Sequence, residues 1–193
     1  MTGRLVVLAS GTGTNLQAIL DACAENRLAA DVVAVISNNA SAGALTRARD
    51  ARVDAVALPR EPGESRRDYD TRLAETVAPY SPDFVVLAGW MLLLSSNFID
   101  HVGCPIVNLH PALPGDLPGV NAIERAHAEA VAGKRTISGV MVHFVPDEGM
   151  DDGPVIATAE VAVAATDLLE DFASRMHAME HELLVKALNQ LCS

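Results

Sequence analysis

The chain has 193 residues, 14 Lys and Arg against 25 Asp and Glu, and a formal net charge of −11. With 50% hydrophobic and 20% charged residues it is no disordered chain, and its length suits one domain over 1–193 with a core that needs no disulfide or metal staple. The acidic balance excludes a duplex-binding protein, whose affinity comes largely from Lys and Arg neutralising phosphates, but leaves room for one small phosphate held by backbone amides.

Near-continuous apolar runs of strand length fall at 5–9, 32–37, 54–58, 84–88 and 106–109. Helical patterns lie between them. Leu16, Ile19 and Leu20 repeat at i, i+3, i+4, Leu73 and Val77 mark one face of 66–79, and 95–101 is long enough for a short helix. Strands apolar on both faces and alternating with helices predict an α/β fold with a parallel sheet covered on both sides. The turn-rich 61–65 reads as a surface loop. Further on, 139–145 and 154–163 are strand-like runs joined by the acidic loop 146–153 with no helix between them, which predicts antiparallel pairing. A long C-terminal helix over about 168–191 follows, with Leu169, Phe172, Met176, Met179, Leu183, Leu184 and Leu188 as its apolar stripe and Thr166 as its N-cap.

Cys23, Cys104 and Cys192 are odd in number and lack CxxC spacing, which predicts free thiols in a reducing compartment. No leader pattern precedes the first strand and no apolar run reaches the length of a membrane span, so the expectation is a cytoplasmic protein without a membrane partner.

Four motifs could carry chemistry. Ser10-Gly11-Thr12-Gly13-Thr14-Asn15-Leu16 joins the first strand to the first helix, where glycines admit an anion to free helix N–H groups. Leu16 replaces the third glycine of GxGxxG, and Ser37-Asn38-Asn39 supplies no carboxylate for a ribose, so a single phosphate ester is favoured over a dinucleotide or a merely structural turn. Asn108 and His110 share one side of a strand end at the carboxyl edge of the sheet; there they either stabilise an oxyanion and trade a proton, or the histidine simply bonds backbone. The acidic loop around Asp147, Glu148, Asp151 and Asp152 is a metal site without the EF-hand pattern, a solvated loop, or the source of a carboxylate that raises the His110 pKa. His177-Ala178-Met179-Glu180-His181 matches the inverted zinc-peptidase motif, but Glu180 or one histidine reaching the phosphate loop is the better reading, beside polar positions flanking the methionine stripe.

Together, Ser10–Gln17, Val86–Leu94, Asn108–Gly115, Gly139–Val145 and Asp151–Ile156 resemble the phosphoribosylglycinamide formyltransferase family, the folate-dependent transferases of purine synthesis, over nearly the whole chain. The resemblance implies a single Rossmann-like domain that moves a formyl group from 10-formyltetrahydrofolate, used as co-substrate, to the glycinamide amine without a metal. It implies that Asn108 binds the formyl oxygen, that His110 acts as the acid, and that Asp151 keeps His110 protonated and organises a water. Gly13, Thr14 and Asn15 would cradle the substrate phosphate and Glu180 would touch the glycinamide end. Arg66, Met91, Leu92, Leu93, Leu94, Asn108 and the loop from Asp147 to Asp151 would border the folate. Leu92 stands where the family often has Arg, and the acidic loop is one residue longer than in some members, with the spacing to Gly153-Pro154 favouring Asp151 over Asp152. The partners implied are small molecules, with the chain a monomer or homodimer. Alternatives are a folate deformylase using the same trio, disfavoured because such enzymes carry an added N-terminal domain, and a non-catalytic phosphometabolite-binding module.

Overall fold

A computed structural model describes residues 2–149 and 151–193. Its strands run β1 (Gly3–Leu8), β2 (Ala30–Ser37), β3 (Asp54–Ala57), β4 (Phe84–Leu87), β5 (Ile106–His110), β6 (Ile137–Phe144) and β7 (Val155–Ala162). The helices are α1 (Thr14–Ala24), α2 (Gly43–Asp50), α3 (Arg66–Val77), α4 (Ser96–Val102), α5 (Ala122–Val131) and α6 (Leu169–Leu191). The strands form one sheet in the order β3-β2-β1-β4-β5-β6-β7. β1 to β5 pair in parallel, whereas β5–β6 and β6–β7 are antiparallel, the latter as the missing helix between the last two runs predicts.

Alternation along β1 divides the core. Leu5 and Val7 face the helices α1, α5 and α6, and Val6 and Leu8 face α3 and α4 through Tyr69, Leu73 and Phe98. From β1 the chain winds outward through β2 and β3, then returns to β4 on the other flank of β1. That reversal opens a crevice at the carboxyl ends of β1 and β4, where open α/β sheets take their ligands.

The structure corrects three expectations. The α6 N-cap is Leu168 rather than Thr166, and its side chain caps nothing. Asp167 is the residue that ties the preceding turn, accepting from Ala164 N–H at 2.9 Å and from the Arg175 guanidinium. Leu169 is 41% exposed and falls outside the buried stripe, which Glu180 joins instead. Two helices lie beyond those read from the sequence: α2 buries Ala44, Leu45 and Ala48, and α5 buries Ala122, Ile123, Ala126 and Ala130. The turn at 61–65 ends on Ser65, whose hydroxyl caps α3 by accepting from Asp68 N–H. All three cysteines are free, and among the described residues no helix is long and apolar enough to cross a membrane.

Candidate active site

A cleft of about 790 Å³ occupies the crevice, walled by the loop after β1, the segment after β4, the end of β5 and the acidic loop after β6. The chain leaves β1 through Gly13, whose φ of 77° is left-handed and whose missing Cβ would stand 2.7 Å from Ala44 Cα. Gly13 is the N-cap of α1 and offers no side chain, so the first turn of that helix keeps unpaired N–H groups beside the cleft. Asn15 donates to Glu180 Oε2 at 3.0 Å, so α6 does reach the loop after β1. Burial pushes the Glu180 carboxyl above its ordinary value, against the opposing pull of Asn15 and His177.

At the end of β5, Asn108 and His110 share one side of the strand, and Asp151 from the acidic loop meets both. Asp151 Oδ1 accepts from the Asn108 amide at 3.1 Å and Oδ2 from Gly119 N–H at 2.9 Å, while Oδ2 lies 3.3 Å from His110 Nδ1. The backbone places Asp151 there at a φ of 57°, a left-handed conformation that Asp tolerates better than most residues. Asp151, not Asp152, completes the cluster, and neighbouring Met150 lies outside the described residues.

His110 is buried, and its Nε2 faces the Leu117 carbonyl at 3.2 Å. The backbone-bonded and the carboxylate-facing readings of this histidine therefore hold together. Its pKa corrects the expectation of a raised value. Burial pushes the imidazole below 6.5 and outweighs the opposing effects of Asp151 and the Leu117 carbonyl. Burial would likewise raise the Asp151 carboxyl, but His143, the Gly119 N–H and the charge of His110 hold it below its usual value. Asp151 is thus the settled anion of the pair and His110 the partner that gains or loses the proton.

His143 carried no predicted role, yet it belongs to this cluster. It stands opposite Asn108 in the β5–β6 register, at the point where β6–β7 pairing slips by one residue. Its Nδ1 donates to the Phe144 carbonyl at 2.9 Å, which leaves Nε2 to accept from the Asn108 amide at 3.1 Å. The strand alternation around Val142 and His143 was legible, but the partner across the sheet depends on the register.

Met91, Leu92, Leu93 and Leu94 all line the cleft, with Met91 62% and Leu93 48% exposed as an apolar lip and Leu94 buried beneath it. Asp147 also lines it, together with Glu148 of the same acidic loop. Arg66 stands behind this wall, 3.8 Å from Glu148 and 3.8 Å from the buried Asp70, and does not itself line the cleft. His177 and His181 diverge. The first faces the cleft and the second a separate concavity between α1 and α6. Among the described residues no three His, Cys, Asp or Glu side chains gather as a metal ion requires.

Parallel strands, a glycine loop at the switch point and an Asn–His–Asp cluster beside it define a group-transfer site rather than a dinucleotide fold. A profile of the formyl transferase family matches residues 3–188. The phosphoribosylglycinamide formyltransferase of Dictyostelium discoideum is 40% identical over 99% of this chain and 98% of that protein. The enzyme of the same name from Escherichia coli is 42% identical over 93% of this chain and 82% of its own length. The crystal structure of glycinamide ribonucleotide transformylase 1 from Geobacillus kaustophilus superposes with a TM-score of 0.91 at 34% identity, each chain covered in full. The chain belongs to the formyl transferase family, in its phosphoribosylglycinamide formyltransferase branch.

Proposed function

We propose that the cleft transfers the formyl group of 10-formyltetrahydrofolate to the amine of 5'-phosphoribosylglycinamide, yielding formylglycinamide ribonucleotide and tetrahydrofolate in de novo purine synthesis. The observation that carries the reading is the meeting of Asn108, His110 and Asp151 at the carboxyl edge of β5, within one cleft shared with the α1 N-terminus. The phosphate lies on the N–H groups of Gly13, Thr14 and Asn15, Glu180 reaches the glycinamide, and Met91–Leu94 with Asp147 flank the folate. Arg66 acts at the outer edge, where it also faces Glu148.

The amine attacks the formyl carbon, and the carbonyl oxygen takes the negative charge. Asn108 donates to that oxygen, a contribution on the order of 10²–10³ in rate. The amine nitrogen must lose a proton and the folate N10 must gain one before its bond to carbon breaks. His110, displaced toward its neutral form, receives that proton, and Asp151 stabilises the resulting imidazolium until N10 takes it. No step calls for a metal, and turnover is expected to survive dialysis against a chelator. The reaction is assigned to the cytoplasm.

The test is to follow tetrahydrofolate release with and without glycinamide ribonucleotide. Release that depends on the ribonucleotide supports the transferase. Release without it identifies a deformylase, and binding of ribonucleotide without any release identifies a binding module.

A further inference from the structure

We propose that Arg47 is a positioning residue of the phosphate cradle, fixing from behind the loop the Thr12–Gly13 peptide plane that aims the Gly13 N–H at the substrate phosphate. The proposal rests on the phosphate reading of the Gly13–Asn15 loop given above. Arg47 Nε donates to the Thr12 carbonyl at 2.9 Å, and one terminal nitrogen donates to Gln17 Oε1 at 3.0 Å. One turn earlier on α2, Ala44 N–H donates to the Gly11 carbonyl at 3.1 Å.

A trans peptide is planar, so its C=O and N–H point in opposite directions. Anchoring the Gly11 and Thr12 carbonyls to α2 therefore turns the N–H groups of Thr12 and Gly13 away from α2. Among the described residues neither N–H finds an acceptor in the protein, although both residues line the cleft. An anion there completes what the fold leaves open.

The approach of α2 is close because glycines allow it. A Cβ on Gly43 would stand 2.9 Å from the Thr12 carbonyl oxygen, and one on Gly13 would meet Ala44. Gln17 is itself oriented, since its amide nitrogen donates to Asp21 Oδ1 at 2.8 Å and so leaves Oε1 for Arg47. Arg47 and Gln17 line the second concavity, of about 860 Å³, rather than the cleft. The guanidinium thus acts through the Thr12–Gly13 peptide, which its charge polarises, and not by touching the ligand.

The discriminating quantity is the ratio of Kd for glycinamide riboside to Kd for glycinamide ribonucleotide, measured by calorimetry on the full chain. Arg47→Met keeps the apolar stem and is expected to lower that ratio about tenfold, to raise the ribonucleotide KM alike, and to leave kcat and the formyl-folate KM within about twofold. Arg47→Lys, which restores a cationic donor, is expected to recover most of the loss. A folded Arg47→Met with the wild-type ratio overturns the role of Arg47, as does an equal rise in both KM values, which marks a general structural clasp. If Arg47→Met does not fold, Gln17→Met decides: a lowered ratio supports the anchor and an unchanged one overturns it. A wild-type ratio near one is a separate outcome that overturns the phosphate reading itself, and this inference with it.

Discussion

The Asn108 amide nitrogen stands 3.1 Å from Asp151 Oδ1 and 3.1 Å from His143 Nε2, so both of its N–H groups are engaged. A formyl oxygen bound by Asn108 must replace one of these partners. Asp151 is the exchangeable one, because it comes from a loop, whereas His143 is held within β6 and tied to the Phe144 carbonyl. In the proposed reaction the Asp151 carboxylate thus holds the place of the developing oxyanion until substrate arrives.

Asp151→Asn is expected to cut turnover by roughly 10²–10⁴ with the fold intact, since an amide cannot stabilise the His110 imidazolium. Steady-state assays and a thermal melt check this. Near wild-type turnover in a folded variant refutes the role.

His143→Leu leaves the shape of the β5–β6 pairing but removes the acceptor that orients Asn108. We expect kcat to fall by about tenfold or more, with the ribonucleotide KM little changed, because the phosphate loop lies elsewhere in the cleft. An unchanged kcat would show that Asn108 needs no support from across the sheet.

The downward displacement of His110 has a definite sign. Its imidazole should titrate below 6.5 in the ligand-free protein when followed by NMR, and lower still in Asp151→Asn, since the carboxylate is what opposes burial. The unfolded chain then takes up this proton first, so His110 lowers stability as pH falls through 6.5 toward its native value. Asp151 behaves in the opposite sense. Its contribution is fully present above 3.8 and disappears as pH falls through its depressed native value. A His110 midpoint above 6.5 would contradict the dominance of burial.

Gly13→Ala combines a left-handed φ of 77° with a Cβ 2.7 Å from Ala44 Cα. Denaturant unfolding should show a loss of about 1–3 kcal/mol, and the ribonucleotide KM should rise as the loop shifts. A variant of wild-type stability would mean that α2 yields to the added methyl without strain.

Much of the fold was legible because its signals are local. The strand runs in the first half alternate with amphipathic stretches, and the absence of a helix between the last two runs required an antiparallel turn. The helices α2 and α5 were not read from the sequence, although their buried positions, Ala44, Leu45 and Ala48 in one and Ala122, Ile123, Ala126 and Ala130 in the other, recur at helical spacing. Nor was the α6 cap, where Thr166 matched the pattern but the chain turned two residues later around Asp167.

At the site, the residues of chemistry could be named from the sequence: Asn108 and His110 two apart on a strand end, a carboxylate in the acidic loop, a glycine turn before a helix and Glu180 on the last one. Such readings depend on spacing within one element, which the backbone period dictates. What each residue meets was decided by the tertiary structure. The antiparallel register of β5 and β6 brings His143 to Asn108, the return of α6 over α1 brings Glu180 to Asn15, and α2 carries Arg47 to the back of the loop. The sign of the His110 shift was decided there too, because the cost of burying a charge depends on everything packed around the ring, while the sequence displayed only the carboxylate that opposes it.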